Sequence, residues 1–325
     1  MTQGRAGGAH EIAVLVPCYN EEVTIASVIA EFRAALPAAV IYVYDNNSSD
    51  RSIEVARAAG AVIRSVTSQG KGFVVRRMFA DVDADIYVLV DGDATYHAPS
   101  APGMVAALIR DRLDMVVGTR VDSEVAAYRA GHRTGNWLLT SFVSQIFSSK
   151  FTDMLSGYRV FSRRFVKSFP VLSGGFEIET EFTIHALQLE LPFAEISTPY
   201  GSRPEGSASK LNTWGDGFRI LRTILKLYRS ERPLGFFGAI GITLIILAVG
   251  LAIPIVITFL ETGTVPRIPT AVLSTGLTLA GFLSIAAGLI LDTVTRGRRE
   301  MKLLAYLQQA APDGTDDASP AGSGR

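Results

Sequence analysis

Cysteine is nearly missing from this chain of 325 residues. Only Cys18 is present, so no intramolecular disulfide can form and a reducing compartment is compatible with the protein. Cys18 ends an apolar run and reads as a packing residue rather than a nucleophile. An excess of charge is missing as well: 31 Lys and Arg balance 31 Asp and Glu, which leaves no global field to draw the chain to nucleic acid. Histidine is scarce, and His97, His132 and His185 show no ligand spacing, which argues against zinc. The first ten residues are small and polar and lack the apolar core of a leader, so the N-terminal part is expected to stay in the cytoplasm.

What the chain does have is a concentration of apolar residues. Mean hydropathy is +0.27, high for a soluble domain. Residues 236–260 and 268–291 form uncharged runs of 25 and 24 residues. Each exceeds the roughly 20 residues that cross about 30 Å of hydrocarbon, a length that speaks against core helices. The connector 261–267 is short, so the pair is predicted to be a helical hairpin. Basic residues cluster before it, from Arg219 to Arg232, and after it, at Arg296, Arg298, Arg299 and Lys302, whereas the connector holds only Arg267. The positive-inside rule then puts both ends in the cytoplasm. Ahead of the hairpin, residues 216–230 set Phe218, Ile220, Leu221, Ile224, Leu225 and Leu227 against Arg219, Arg222, Lys226 and Arg229, as a helix lying in a membrane surface would. In the second run Ala280, Ser284 and Gly288 make a stripe of small residues, which either packs on the first span or joins copies into a homo-oligomer.

Between residue 11 and about residue 121, short apolar runs alternate with helical periodicity. Strands are predicted at 12–16, 40–44, 61–66, 86–90 and 115–118, with helices at 22–36, 52–59 and 72–82. Continuous apolar strands of this kind are buried on both faces. The order is that of an α/β, Rossmann-like, doubly wound domain. Residues 121–200 read as mixed, with helices at 133–147 and 178–189, and 201–210 as a polar loop.

The chemistry collects at strand ends, where open α/β sheets bind ligands. Asp91-Gly92-Asp93 follows the fourth strand directly, and two carboxylates in one turn can hold a hard divalent cation. After the first strand come Pro17, Cys18, Tyr19, Asn20, Glu21 and Glu22. Tyr19 can stack on a nucleobase, while Asn20 and Glu21 either belong to the same pocket or cap the next helix. After the second strand comes Asp45-Asn46-Asn47-Ser48-Ser49-Asp50, where Asp45 can accept from a base or ribose and Ser49 or Asp50 caps a helix. Gln69-Gly70-Lys71-Gly72 starts another helix, where glycines would let backbone amides and Lys71 approach phosphate. Glu177, Glu179 and Glu181 read as negative charge at a helix N-terminus.

Pro-x-Tyr-Asn-Glu, an Asp-containing turn after the second strand, Gly-x-Gly and Asp-x-Asp, in this order, resemble family 2 inverting glycosyltransferases of GT-A fold. The likeness is greatest to dolichol-phosphate mannose synthases and bacterial polyprenyl-phosphate glycosyltransferases, and it runs from about residue 12 to 225 before extending to the hairpin. It implies a GT-A domain at 11–211 between a disordered start at 1–10 and an amphipathic helix at 212–232. Two spans at 233–292 and a cytoplasmic tail at 293–325, disordered after about 311, would complete the chain.

The resemblance also implies roles. Pro17, Tyr19, Asn20, Glu21 and Asp45 would line the nucleoside pocket, joined by Lys71, and Asp91 and Asp93 would hold Mg2+ or Mn2+ on the diphosphate. Arg120 and Arg133 match basic positions that meet the acceptor phosphate. Asp153 and Arg159 fall in an Asp-x-x-Ser-Gly-x-Arg element near the sugar, and Glu179 would face the sugar too. Arg203, Ser209 and Lys210 match a loop that closes over phosphates. Two departures stand out: the family often has a second Asp where Asn46 stands, and often a Gln as third metal ligand where Thr95 stands.

The expected reaction moves a hexosyl group from GDP-mannose or a UDP-hexose to a polyprenyl phosphate at a bilayer, with inversion. A phosphate monoester is already anionic near pH 7 and needs no general base to attack. Two alternatives remain at this stage. A processive polysaccharide synthase would carry Gln-x-x-Arg-Trp, which neither Trp137 nor Trp214 completes. A non-catalytic sugar-nucleotide-binding scaffold would have little use for Asp91, Asp93 and Lys210.

Overall fold

The computed structural model describes residues 10–122, 141, 151–175, 177–201 and 225–310. Arg133, Arg203, Ser209 and Lys210 lie outside the described residues, as do 216–224 of the expected amphipathic helix and most of the expected helix at 133–147. The chain divides into two compact units, Met1–Gly217 with Lys302–Arg325, and Phe218–Met301.

The first unit is built on a seven-stranded mixed sheet. Its elements are β1 (Ile12–Cys18), α1 (Ile25–Ala35), β2 (Val40–Asp45), α2 (Ser52–Ala58), β3 (Val62–Ser65), α3 (Lys71–Asp81), β4 (Ile86–Leu89), α4 (Ala101–Arg110), β5 (Met115–Asp122), β6 (Arg159–Ser162), α5 (Arg163–Ser168), α6 (Ile178–Gln188) and β7 (Phe193–Tyr200). The strand order is β3-β2-β1-β4-β6-β5-β7. β1 pairs in parallel with both β2 and β4, so the winding reverses between β1 and β4. That reversal opens a crevice at their carboxyl ends.

The apolar runs are strands because both faces of the sheet are covered. Every residue of β4 is buried. On one face α1 packs Ile25, Val28, Ile29 and Phe32 against the sheet. On the other, Phe79, Phe161, Phe165, Phe169 and Phe182 form a cluster of stacked, tilted and edge-to-face pairs with ring centroids 4.6–6.3 Å apart.

The doubly wound expectation needs one refinement. β6, in a stretch expected only to be mixed, slots between β4 and β5 and runs antiparallel to both. β5 is therefore not the neighbour of β4, and β7 extends the sheet in parallel beyond it.

The second unit is a pair of long helices, α7 (Pro233–Thr262) and α8 (Ile268–Leu307). Both are long and apolar enough to cross a membrane, and most of their surface is exposed in the chain alone. α7 ends where Gly263 takes φ 67°, a left-handed C-terminal cap. Buried residues recur every seventh position, Gly241, Ala248 and Ile255 on α7 against Ser274, Gly281 and Gly288 on α8. A methyl group on Gly241 would lie 2.7 Å from the Gly281 carbonyl oxygen, and one on Gly281 would lie 2.9 Å from that of Gly241. Ser284 Oγ donates to the Phe237 carbonyl at 2.8 Å and Ser274 Oγ to that of Ala248 at 2.8 Å. Ser284 and Gly288 of the small-residue stripe are thus used between the two helices.

α8 runs beyond the expected span, and its last turns belong to the first unit. There Tyr306 donates its hydroxyl to Asp114 Oδ2 at 2.8 Å, Lys302 Nζ donates to Gln188 Oε1 at 2.8 Å, and Arg164 lies 4.9 Å over the Tyr306 ring.

Candidate functional site

The loops after β1 and β2 are laced together before any ligand arrives. Asn20, at φ 53°, donates its amide to Ser48 Oγ at 2.9 Å and accepts from the Ser49 amide at 2.8 Å. The Glu21 amide donates to Ser52 Oγ at 2.7 Å, and that of Glu22 to Asp50 at 3.2 Å. Asp45 is buried and accepts from the Ser48 amide at 3.3 Å. The helix capping expected of Asn20 and Glu21 is not what they do: α1 carries no side-chain cap, and the two residues tie the β1 loop to the β2 loop instead, with Tyr19 beside them 36 % exposed. Asp50 sits below the usual carboxylate range: burial pushes it up, but hydrogen bonds from the hydroxyl and amide of Ser52 and from Glu22 prevail.

Asn46 explains one departure from the family pattern. Its side-chain amide donates to the carbonyls of Val66 and Ser68 at 2.9 and 2.8 Å, and its oxygen accepts from the Gly70 amide at 2.7 Å. A second Asp could not make the two donations. The residue ties the β2 loop to the turn that starts α3.

Asp91 and Asp93 follow β4, and Thr24 Oγ1 binds the Gly92 carbonyl between them at 2.7 Å, joining this turn to the β1 loop. The two carboxylates have different surroundings. Asp93 is buried and accepts from Thr95 Oγ1 at 2.6 Å and from the Thr95 amide at 3.2 Å. The Ala94 between them is held at φ 58°. Thr95 thus orients Asp93. Asp91 pairs with Lys71, Nζ to Oδ1 2.5 Å, and Lys71 also reaches Glu179 Oε1 at 2.5 Å. Burial works against the Lys71 ammonium, but Asp91 and Glu179 outweigh it and hold it above the ordinary lysine range. Burial raises the Glu179 carboxyl, with Lys71 opposing.

The glycines around Lys71 serve a different end from the one expected. A methyl group on Gly70 or Gly72 would collide with the carbonyl oxygens of Gly174 and Ser173 respectively, and the Gly72 amide already donates to Gly174 at 3.2 Å. They permit the 173–174 backbone to close over the start of α3, which brings Glu179 of α6 to Lys71.

Further along the crevice, Arg120 on β5 grips Asp153 through Nε at 2.8 Å and a terminal nitrogen at 2.7 Å, with its guanidinium 5.6 Å from the Tyr200 ring. The amide of Asp153 is held in turn by Glu195 at 3.2 Å. Tyr96 accepts from the Gly157 amide at 2.8 Å and packs on Tyr158 and Tyr200. Arg159, at the end of the same element, plays a structural part. It is fully buried, donates to the carbonyls of Ser156 and Met154 and to Thr183, and braces the 153–157 loop from beneath. Burial pulls its guanidinium down to about 10. Cys18 is also buried, its thiol pushed up to about 12 by burial, which suits packing and not attack.

The structure thus gathers Asp45, Lys71, Asp91, Asp93, Arg120, Asp153 and Glu179 from strand ends, helix starts and loops on the carboxyl-end side of the parallel strands. Sequence reasoning missed Asn46, Thr95 as a partner of Asp93, and Tyr96. Asn46 and Thr95 could have been found by asking what a donor does where the family has an acceptor or a ligand. Among the described residues no three His, Cys, Asp or Glu cluster as a metal cage. Two carboxylates in one strand-end turn nevertheless fit a hard cation that completes its shell with water and phosphate oxygens, as Mg2+ commonly does.

Comparison with known proteins sets this geometry in a family. The model described as Glycosyl transferase family 2 matches residues 13–169. Glycosyltransferase AglJ of Haloferax volcanii is 31% identical over 300 residues, 91% of this chain and 98% of the relative. A dolichyl-phosphate hexose transferase of the same organism is 27% identical over 222 residues, 68% of this chain and 96% of the relative. The solved glucosyl-3-phosphoglycerate synthase of Mycobacterium tuberculosis, in complex with Mn2+, UDP and glucosyl-3-phosphoglycerate, superposes with TM-score 0.54 at 24% identity. That superposition covers 68% of this chain and 80% of that one, and it bears on the fold alone.

Proposed function

This chain belongs to glycosyltransferase family 2, and from that premise we propose that it transfers a hexosyl group from a nucleotide-sugar to a polyprenyl phosphate, with inversion, at the cytoplasmic face of a membrane. The observation that carries the reading is one crevice in which Lys71 pairs with Asp91 and Arg120 pairs with Asp153 on either side of Tyr96, in a chain that also has two helices of membrane-crossing length. The relative named a dolichyl-phosphate hexose transferase supports the acceptor class.

The donor's base stacks on exposed Tyr19, with Asp45 as acceptor for base or ribose. Asp91 and Asp93 would hold Mg2+ or Mn2+, which when bound neutralises the diphosphate leaving group. Lys71 adds positive charge on the same side, and Glu179, bound to it, faces the sugar. Arg120 presents a fork whose orientation Asp153 fixes, and with Arg133 it receives the acceptor phosphate. Arg203, Ser209 and Lys210 close on the phosphates. The acceptor's own charge makes it the nucleophile, so this chain's task is to hold two anions close together. The basic clusters flanking the spans support a topology in which the catalytic unit and both chain ends are cytoplasmic and the 261–267 connector is outside.

The test offers membranes containing the protein a panel of labelled GDP- and UDP-sugars and extracts the lipid fraction. One labelled sugar per lipid phosphate, abolished by EDTA and by Asp93→Asn, is the expected result. Label in a polymer, or no label in lipid from any donor, would refute the reading.

A further inference from the structure

Lys71 has an unusual seat for a group expected to meet phosphate. Its side chain is only 8 % exposed, and Asp91 and Glu179 hold it from two sides at 2.5 Å each. Its root is fixed as well, because the backbone at Ser173 and Gly174 closes against Gly70 and Gly72. Gly157 shuts the remaining side: a methyl group there would lie 2.5 Å from Asp91 Oδ2 and 3.1 Å from Lys71 Nζ. Asp91, the first carboxylate of the pair assigned to the metal, therefore already carries a cation supplied by the chain.

A dication arriving alone must share Asp91 with that ammonium. Two cations on one carboxylate repel strongly in a site that excludes much of the water. A nucleoside diphosphate changes the balance, since its phosphate oxygens can accept Lys71 while also completing the metal's shell. Glu179 keeps the lysine tethered as it turns from Asp91 to the phosphates.

We propose that Lys71 is the resident counter-cation of Asp91 and makes divalent-metal binding conditional on the diphosphate of the donor, with Glu179 as the residue that positions it. The proposal rests on the donor reading above and goes beyond it. It predicts that metal and donor enter as a coupled pair, so that the site neither collects free metal nor holds a nucleotide well without it. By linkage, the factor by which nucleotide tightens metal equals the factor by which metal tightens nucleotide.

The experiment measures Mn2+ binding to the full-length chain in detergent by electron paramagnetic resonance and calorimetry, alone and with UDP or GDP. In the unmodified protein, nucleotide should tighten Mn2+ by about tenfold or more. In Lys71→Met, Mn2+ alone should bind about tenfold more tightly than in the unmodified protein, and the tightening by nucleotide should shrink toward unity. In Glu179→Gln, which leaves Lys71 wholly to Asp91, Mn2+ alone should bind more weakly than in the unmodified protein. A Lys71→Met protein whose Mn2+ affinity rises equally with and without nucleotide would show a bystander charge and overturn the proposal. Unchanged Mn2+ affinity, with nucleotide binding intact, would overturn it too while leaving the donor reading standing. If neither nucleotide binds the unmodified protein with or without Mn2+, both fall.

Discussion

Asn46 shows how one side chain can support a site without entering it. Replacing it with Asp should be harmful in this chain. The carboxylate would face the carbonyls of Val66 and Ser68 with nothing to donate and would confront a turn built to receive an amide. Two lost donations and a partly desolvated charge set the cost at about 3 kcal/mol, to be read as a lower unfolding midpoint for Asn46→Asp. His185 makes a second case. It is fully buried against Phe165 and Phe169, at 5.1 Å from each ring, and its Nε2 meets Ser168 Oγ at 3.0 Å. Burial, helped by the charge of Lys302, drives its pKa down to about 3. A depressed folded pKa means that stability is intact above the unfolded value near 6.5 and drains away as pH falls from there toward 3. At pH 5 the loss should be about 2 kcal/mol. His185→Phe should flatten this part of the stability curve between pH 7 and 5, whatever it does to stability at pH 7. An equally steep decline in the variant would clear His185 of the effect.

At the scale of elements, the parts legible in the sequence were those whose burial is uniform. β1, β2 and β4 are unbroken apolar runs, and the strand-end position of Asp91 and Asp93 followed from them. β6 was not legible, because a four-residue strand beginning with Arg159 shows neither alternation nor an apolar run. It is a strand because two neighbours already in place accept it and because carbonyls and Thr183 satisfy the buried guanidinium. The extension of α8 was equally hidden, since charge at Arg296 to Lys302 marks the end of an apolar run and not the end of a helix. The hairpin itself was legible by length, but which small residues face the partner helix depends on helical phase. Gly281 and Gly276 separate the two cases: Gly281 meets Gly241 and Ile245, whereas a side chain on Gly276 would meet nothing within 4 Å. Gly281→Leu should force the helices apart and lower the thermal stability of the detergent-solubilised chain by several degrees, while Gly276→Leu should be tolerated. Equal effects at the two positions would refute the close packing.

For the whole molecule, the question is what nucleophile this arrangement is made for. In the proposed reaction two bulky anions meet near a bilayer, and the chain offers positive charge from distant segments, Arg120, Arg133, Arg203 and Lys210. As ordinary exposed charges they would each be worth little. As parts of one phosphate site they should separate acceptor binding from donor binding. Arg133→Ala should raise the apparent KM for polyprenyl phosphate and lower transfer by about tenfold or more, the loss of one charge-assisted contact. Calorimetric affinity for the nucleotide should stay unchanged, because Tyr19 and Asp45 lie on other loops. Arg133→Lys should recover only part of the loss, since a planar fork becomes a point charge. The pH profile supplies an independent check. A phosphate monoester loses its second proton near pH 6, and the dianion is the better nucleophile. Transfer should therefore rise as pH climbs through about 6, and the midpoint should stay put in Arg133→Lys, because the proton belongs to the lipid and not to the protein. Normal transfer by Arg133→Ala would remove that residue from the acceptor site. A neutral polyprenol that served as well as its phosphate would show that the attacking oxygen needs a base, and the charge-driven mechanism would have to be abandoned.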